Sequence, residues 1–263
     1  MKKIFILVFI ALFALSMETS YAEEKKPVIG VVLMHGKTGQ PENFNSIDSA
    51  FKKAGFILIK PEMPWSKGRY IDKTYEDALT EVDQAIDKLR KQGANKIVVG
   101  GHSMGGNGAL AYAAYRGRID GLIMLAPGHN PNTNMLRAKF AADVAKAKQL
   151  IDGGKGNQNI LCADYNEGRN FTREMKANVY YSFFNPDGMA SMIKSTGLIK
   201  TGIPVLYVAG SIDPLTHSLG RDIYDKLPPH DLSLYTIVQA NHFETPSAAV
   251  AEIISWLQLI AKQ

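Results

Sequence analysis

The chain has 263 residues, of which 46% are hydrophobic, and a formal net charge of +5. That length supports one large domain with a sizeable core. The basic residues are interleaved with acids rather than gathered in a stripe, which argues against a nucleic-acid partner, and one cysteine, Cys162, excludes an internal disulfide framework.

Met1-Lys2-Lys3 is a short basic start, followed by an unbroken apolar run from Ile4 to Leu15. Ser20-Tyr21-Ala22 places small residues where a signal peptidase reads. Residues 1–22 therefore read as a secretory signal with cleavage before Glu23, and export to periplasm or medium is expected. The apolar run is short of the roughly 20 residues that span a bilayer. No later segment is apolar enough to span, so no stable membrane insertion is expected after cleavage. Residues 23–263 would carry a net charge of +4, having lost Lys2, Lys3 and Glu18.

Short apolar runs follow at Val28–Met34, Phe56–Lys60, Ile97–Gly100, Gly121–Ala126, Val205–Val208 and Leu232–Val238. Such runs suit strands buried on both faces of a parallel sheet. Helical patterns lie between them. Ala78, Val82, Ala85, Ile86 and Leu89 share one face, and Val250, Ile253, Ile254, Leu257 and Ala261 share another. Thr245 is a good N-cap for the last helix, with Pro246 in its first turn. Strands alternating with helices predict an α/β domain, 23–263, with a mostly parallel sheet of about six strands. One region breaks the rhythm. Roughly 75 residues separate the fourth and fifth strands, too many for one crossover helix. Leu136, Phe140, Val144, Ala147 and Ile151 predict a helix there, and Asn178–Lys194 a second, broken near Pro186. This aromatic-rich stretch, about 129–200, reads as a helical, cap-like insertion over one edge of the sheet.

The first strand ends in His35-Gly36-Lys37-Thr38. Gly-Lys-Thr ends a phosphate-binding loop, but that motif needs a glycine five residues before Gly36, where Val31 stands inside the strand. The other reading comes from Gly101-His102-Ser103-Met104-Gly105, a G-x-S-x-G sequence between a strand and a small-residue helix. A nucleophile there sits on a strained turn that exposes its hydroxyl, and side chains two residues either side would collide. A serine needs a base held by an acid, and in this context the order is serine, acid, histidine. His242 follows the last strand and is the best base; His129, His217 and His230 are weaker. Asp213, just past the strand Val205–Val208, is the acid, with Glu244 and Asp231 in reserve. His35-Gly36 then opens an oxyanion loop, whose donors are the backbone N–H groups of Met104 and Lys37, with Gly36 or Thr38 as alternatives to Lys37. The Lys37 side chain reads as solvated surface, and Cys162 as a buried structural thiol.

With these motifs in place, the chain resembles a compact member of the α/β-hydrolase superfamily, close to small serine esterases and lipases. The resemblance covers nearly all of residues 23–263: His35-Gly36 after the first strand, the Ser103 turn, Gly210-Ser211-Ile212-Asp213-Pro214 for the acid and Ala240-Asn241-His242-Phe243 for the base. It implies an exported serine hydrolase that cleaves a carboxylic ester through an acyl-enzyme on Ser103. His242 would be the general base and Asp213 the orienting acid. The substrate would be a small-molecule ester whose acyl or aryl group is apolar. Met104, Trp65 and His129 are pocket candidates, though core packing accounts for most such residues. A non-catalytic binding protein of the same fold, or a peptidase or acyltransferase using the same residues, is the alternative. No metal-ligand spacing is visible, so neither metal nor organic cofactor is expected. Oligomeric state is not readable.

Overall fold

The computed structural model describes residues 27–214 and 220–263. The signal segment expected over 1–22, and His217, lie outside the described residues. In chain order the strands are β1 (Ile29–Met34), β2 (Ile57–Ile59), β3 (Lys96–His102), β4 (Gly121–Leu125), β5 (Asn159–Asn166), β6 (Arg169–Lys176), β7 (Val205–Gly210) and β8 (Leu234–Val238). The helices are α1 (Asn45–Lys53), α2 (Tyr75–Lys91), α3 (Met104–Tyr115), α4 (Asn134–Asp152), α5 (Ala177–Phe184), α6 (Met192–Thr196), α7 (Arg221–Tyr224), α8 (Thr245–Ala248) and α9 (Val250–Ile260).

Six strands form one parallel sheet in the order β2-β1-β3-β4-β7-β8. The expected six-strand α/β architecture is therefore present. The strand residues alternate between two cores, as the strand period of two requires. Val32 and Met34 meet α2 and α3, whereas Val31 and Leu33 meet α1 and α9. The chain reverses its direction of travel across the sheet between β1 and β3. Loops leaving the C-terminal ends of those neighbours diverge there and open a crevice, with Ser103 on its floor.

Helix signals in the sequence have visible causes. Thr74 caps α2 by accepting the Asp77 N–H, and the Asp77 carboxylate returns to the Thr74 N–H. Thr245 plays a different part from the cap predicted for it. It is the first residue of α8, and its hydroxyl donates back to the Asn241 carbonyl at 2.8 Å.

The insertion between β4 and β7 differs from an all-helical segment. It holds α4, α5 and α6, but also β5 and β6, which pair antiparallel as a hairpin. Its turn residues Glu167 and Gly168 both have positive φ, 50° and 80°, as a tight two-residue hairpin turn requires. The inward face carries Ile160, Cys162, Asp164 and Met175. Cys162 is buried as expected; burial pushes its thiol up to about 12.

Candidate active site

Ser103 stands between β3 and α3 with φ 53° and ψ −118°, a backbone region that non-glycine residues avoid. The turn is held by the Ser103 N–H donating to Leu125 O, and by the N–H groups of Asn107 and Gly128 donating to Ser103 O. The flanking glycines are obligatory. A Cβ on Gly101 would lie 2.7 Å from Met34 O, and one on Gly105 would lie 2.6 Å from Met34 C and 2.8 Å from His35 O. The nucleophile turn is thus packed directly against the end of β1, which leads into the His35-Gly36 loop.

That loop is braced by groups hidden in the sequence. His35 is buried; its Nδ1–H donates to Gly36 O at 2.8 Å, and its Nε2 accepts the Met63 N–H at 3.0 Å. Burial lowers its pKa, consistent with this neutral ring. Trp65 is also buried; its Nε1–H donates to His35 O, and its carbonyl accepts the Thr38 N–H, both at 2.8 Å. Thr38 is thereby removed as an alternative oxyanion donor. Among the described residues the N–H groups of Gly36, Lys37 and Met104 have no internal acceptor, so Gly36 stays open as the alternative to Lys37. Trp65 is core, as its apolar character suggests, whereas His129 lines the pocket.

The acid and histidine candidates meet. His242 Nδ1–H donates to Asp213 Oδ2 at 2.8 Å, and the Asp213 carboxylate is almost wholly buried. An imidazole held in this way keeps Nε2 as its basic nitrogen. The two loops are tied by backbone bonds from Ser211 to Val238 and from Ile212 to Ala240. The His242 turn is shaped by Asn241, whose Oδ1 accepts the N–H groups of Phe243 and Glu244, each at 3.0 Å. Glu244 is exposed and accepts the Asn241 N–H, leaving Asp213 as the histidine's partner. Ser103 Oγ donates to no acceptor among the described residues, a looseness common in unliganded sites.

Two further histidines sit nearby. His102 Nε2–H donates to His242 O at 2.8 Å, with ring centres 4.7 Å apart. Its pKa is pushed down to about 4, first by burial and then by His242. His129 Nε2–H donates to Phe183 O at 3.0 Å, and burial, followed by the Lys37 charge, pushes its pKa down to about 4. Neither is placed to act as a base near neutral pH. His230 accepts the Leu232 N–H outside this pocket.

Lys37 overturns one expectation. Its side chain is not solvated surface: the ammonium is buried and paired with the fully buried Asp164 of β5. Burial lowers its pKa, against the opposing pull of Asp164.

Ser103, Asp213, His242, Lys37 and Met104 all border one cavity of about 910 Å³, within the usual range for small-molecule sites. Leu136 and Phe140 of α4, Phe44, Pro246 and the hairpin tip Asn166–Gly168 line it as well.

A parallel sheet with a strained serine turn at the crevice end of β3, and a histidine–aspartate pair beyond β7 and β8, defines the α/β-hydrolase class. Residues 25–243 match the family described as serine aminopeptidase, S33, and the chain belongs to that family. Over 109 residues it is 33% identical to a thermostable monoacylglycerol lipase from Bacillus sp. (strain H-257), a match covering 40% of this chain and 42% of that protein. The chain thus matches about two fifths of that relative's length. Among solved structures, a carboxyl esterase from Bacillus coagulans aligns with a TM-score of 0.64 and 17% identity, covering 90% of this chain and 92% of that one. A monoacylglycerol lipase from Paleococcus ferrophilus aligns with a TM-score of 0.58 and 23% identity, covering 89% and 94%. At these identities the structural matches speak for the fold.

Proposed function

We propose that this protein is a serine hydrolase that cleaves a carboxylic ester through an acyl-enzyme on Ser103. His242 takes the Ser103 proton as general base, and Asp213 orients the imidazole and stabilises its charged form. The N–H groups of Met104 and Lys37 receive the developing oxyanion. His242 then gives that proton to the leaving alcohol and, neutral again, takes a proton from the water that attacks the acyl-enzyme and releases the acid. The observation that carries this reading is the Asp213–His242 hydrogen bond in the cavity that also holds the strained Ser103 turn.

An apolar acyl or aryl group suits the cavity walls at Phe44, Leu136, Phe140 and Pro246. Its surroundings are apolar as well: Ile212 and Phe243, neighbours of the acid and base in sequence, are 67% and 63% exposed. Residues 1–22 read as a secretory signal, and an N-terminus at Glu23 in protein recovered from expressing cells tests export.

The test of function is steady-state turnover of a p-nitrophenyl ester series by the parent chain, Ser103→Ala and His242→Ala. Each variant is expected to lose at least about a thousandfold in kcat with an unchanged circular dichroism spectrum. Near-parent activity in either folded variant removes the assignment. Product analysis with water and a competing alcohol separates hydrolysis from acyl transfer, and an aminoacyl p-nitroanilide tests the peptidase chemistry in the family's description.

A further inference from the structure

Lys37 holds two positions at once. Its backbone N–H is one of the two amides at the oxyanion site, while its side chain runs into the protein and ends on the cap hairpin. The side chain is 5% exposed, and its ammonium pairs with Asp164 Oδ1. It also donates to Tyr165 O at 3.3 Å and lies 5.4 Å from the centre of the Phe184 ring. Asp164 accepts two further bonds, from Arg173 Nε at 2.9 Å and from the Tyr165 N–H at 2.7 Å. This pairing joins the loop after β1 to strand β5, 127 residues later.

Burying two ions costs several kcal/mol each, and a well-packed apolar pair is often as stable or more so. What an ion pair adds is direction. The peptide that carries the Lys37 N–H has Gly36 on its other side, and a Cβ there would lie 3.2 Å from the Ser103 Cβ. The carbonyl of that peptide, Gly36 O, accepts the His35 Nδ1–H at 2.8 Å and the Gly39 N–H at 3.0 Å, which holds one edge of the plane. The other edge carries the Lys37 N–H and follows the Lys37 Cα, since the glycine itself restrains little. Thr38 is held by Trp65; the Lys37 side chain is held by Asp164.

We propose that Asp164 is a positioning residue: through Lys37 it fixes the Gly36–Lys37 peptide, so that the cap hairpin and the oxyanion site are set together. This rests on Ser103 being the nucleophile. Arg173 steadies Asp164 from within the hairpin and, among the described residues, makes no hydrogen bond to the loop after β1.

The test uses the full chain, with kcat and KM measured on p-nitrophenyl butyrate and the rate of Ser103 labelling by a fluorophosphonate. Asp164→Asn and Lys37→Met are each expected to lower kcat at least tenfold, with KM within threefold of the parent and a matching fall in labelling rate. The double variant Lys37→Met/Asp164→Leu keeps the test valid if a single variant fails to fold, because it leaves neither partner buried and unpaired. It is expected to be at least tenfold slower than the parent and no slower than the slower single variant, as linked residues behave. Arg173→Gln is expected to lose stability but keep kcat within threefold. A folded double variant with parental kcat and labelling rate overturns the positioning role. So does an Arg173→Gln variant as slow as Asp164→Asn, which would reduce the effect to general loosening of the cap. A parent chain that turns over no ester and takes no label at Ser103 removes the underlying catalytic reading instead.

Discussion

Gly105→Ala offers a sharp perturbation, because a single methyl group is driven into the backbone that leads to the His35-Gly36 loop. A Cβ at this position would lie 2.6 Å from Met34 C and 2.8 Å from His35 O, with Met34 O closer still. Backbone atoms at the end of a central strand cannot rotate aside as a flexible side chain can. The two chains must therefore separate by about 1 Å before the contact becomes ordinary, and displacements of that size cost on the order of 100-fold in rate. The same overpacking destabilises by about 1–3 kcal/mol. We expect Gly105→Ala to fold with a lowered urea midpoint and to lose about 100-fold in kcat/KM on p-nitrophenyl butyrate. Gly197→Ala is the control. Its Cβ would meet only Lys194 O, at 3.6 Å, and its φ of −72° suits any residue. A Gly105→Ala enzyme within threefold of the parent would refute the close packing of the Ser103 turn against β1 as a condition of activity.

Acid should destabilise the fold before it protonates most carboxylates. His102 and His129 have folded pKa values near 4 against about 6.5 unfolded. Between those values the unfolded chain binds more protons, so their contribution is intact above about pH 6.5 and lost as pH falls toward 4. Allowing for partial exposure, the loss is roughly 2 kcal/mol per histidine. Urea midpoints at pH 7.5 and 5 check it, and equal midpoints would contradict it. Leu136→Trp fills the α4 side of the cavity. It should cut kcat/KM on p-nitrophenyl decanoate at least tenfold more than on the acetate, and an unchanged ratio would place the long chain elsewhere.

What could be read from the chain was what local chemistry dictates. The four central strands announce themselves because each is buried on both faces, as Val31, Val98 and Val208 illustrate; the edge strands Ile57–Ile59 and Leu234–Val238 are only partly buried and show through their apolar, β-branched residues. Gly101 and Gly105 mark the serine turn because no larger residue fits there. The hairpin was illegible because its alternation is inverted: Leu161 points outward, 65% exposed, while Asp164 points inward at 0%. Asp164 tolerates that place only through Lys37 and Arg173. The burial of Lys37 is equally invisible in the sequence, since its partner lies 127 residues away and no spacing rule reaches that far. The brace formed by His35, Met63 and Trp65 was hidden too, because it is a tertiary contact between a strand end and an irregular loop.

The most direct test of the account is the site of covalent capture. Full-length protein would be treated with a fluorophosphonate, its intact mass recorded and the adduct mapped by peptide sequencing, alongside Ser103→Ala and Asp213→Asn. The account predicts one adduct per chain, on Ser103, absent from the alanine variant and formed at least 100-fold more slowly with Asp213→Asn. A folded chain that takes no label, or takes it on another residue, would contradict it.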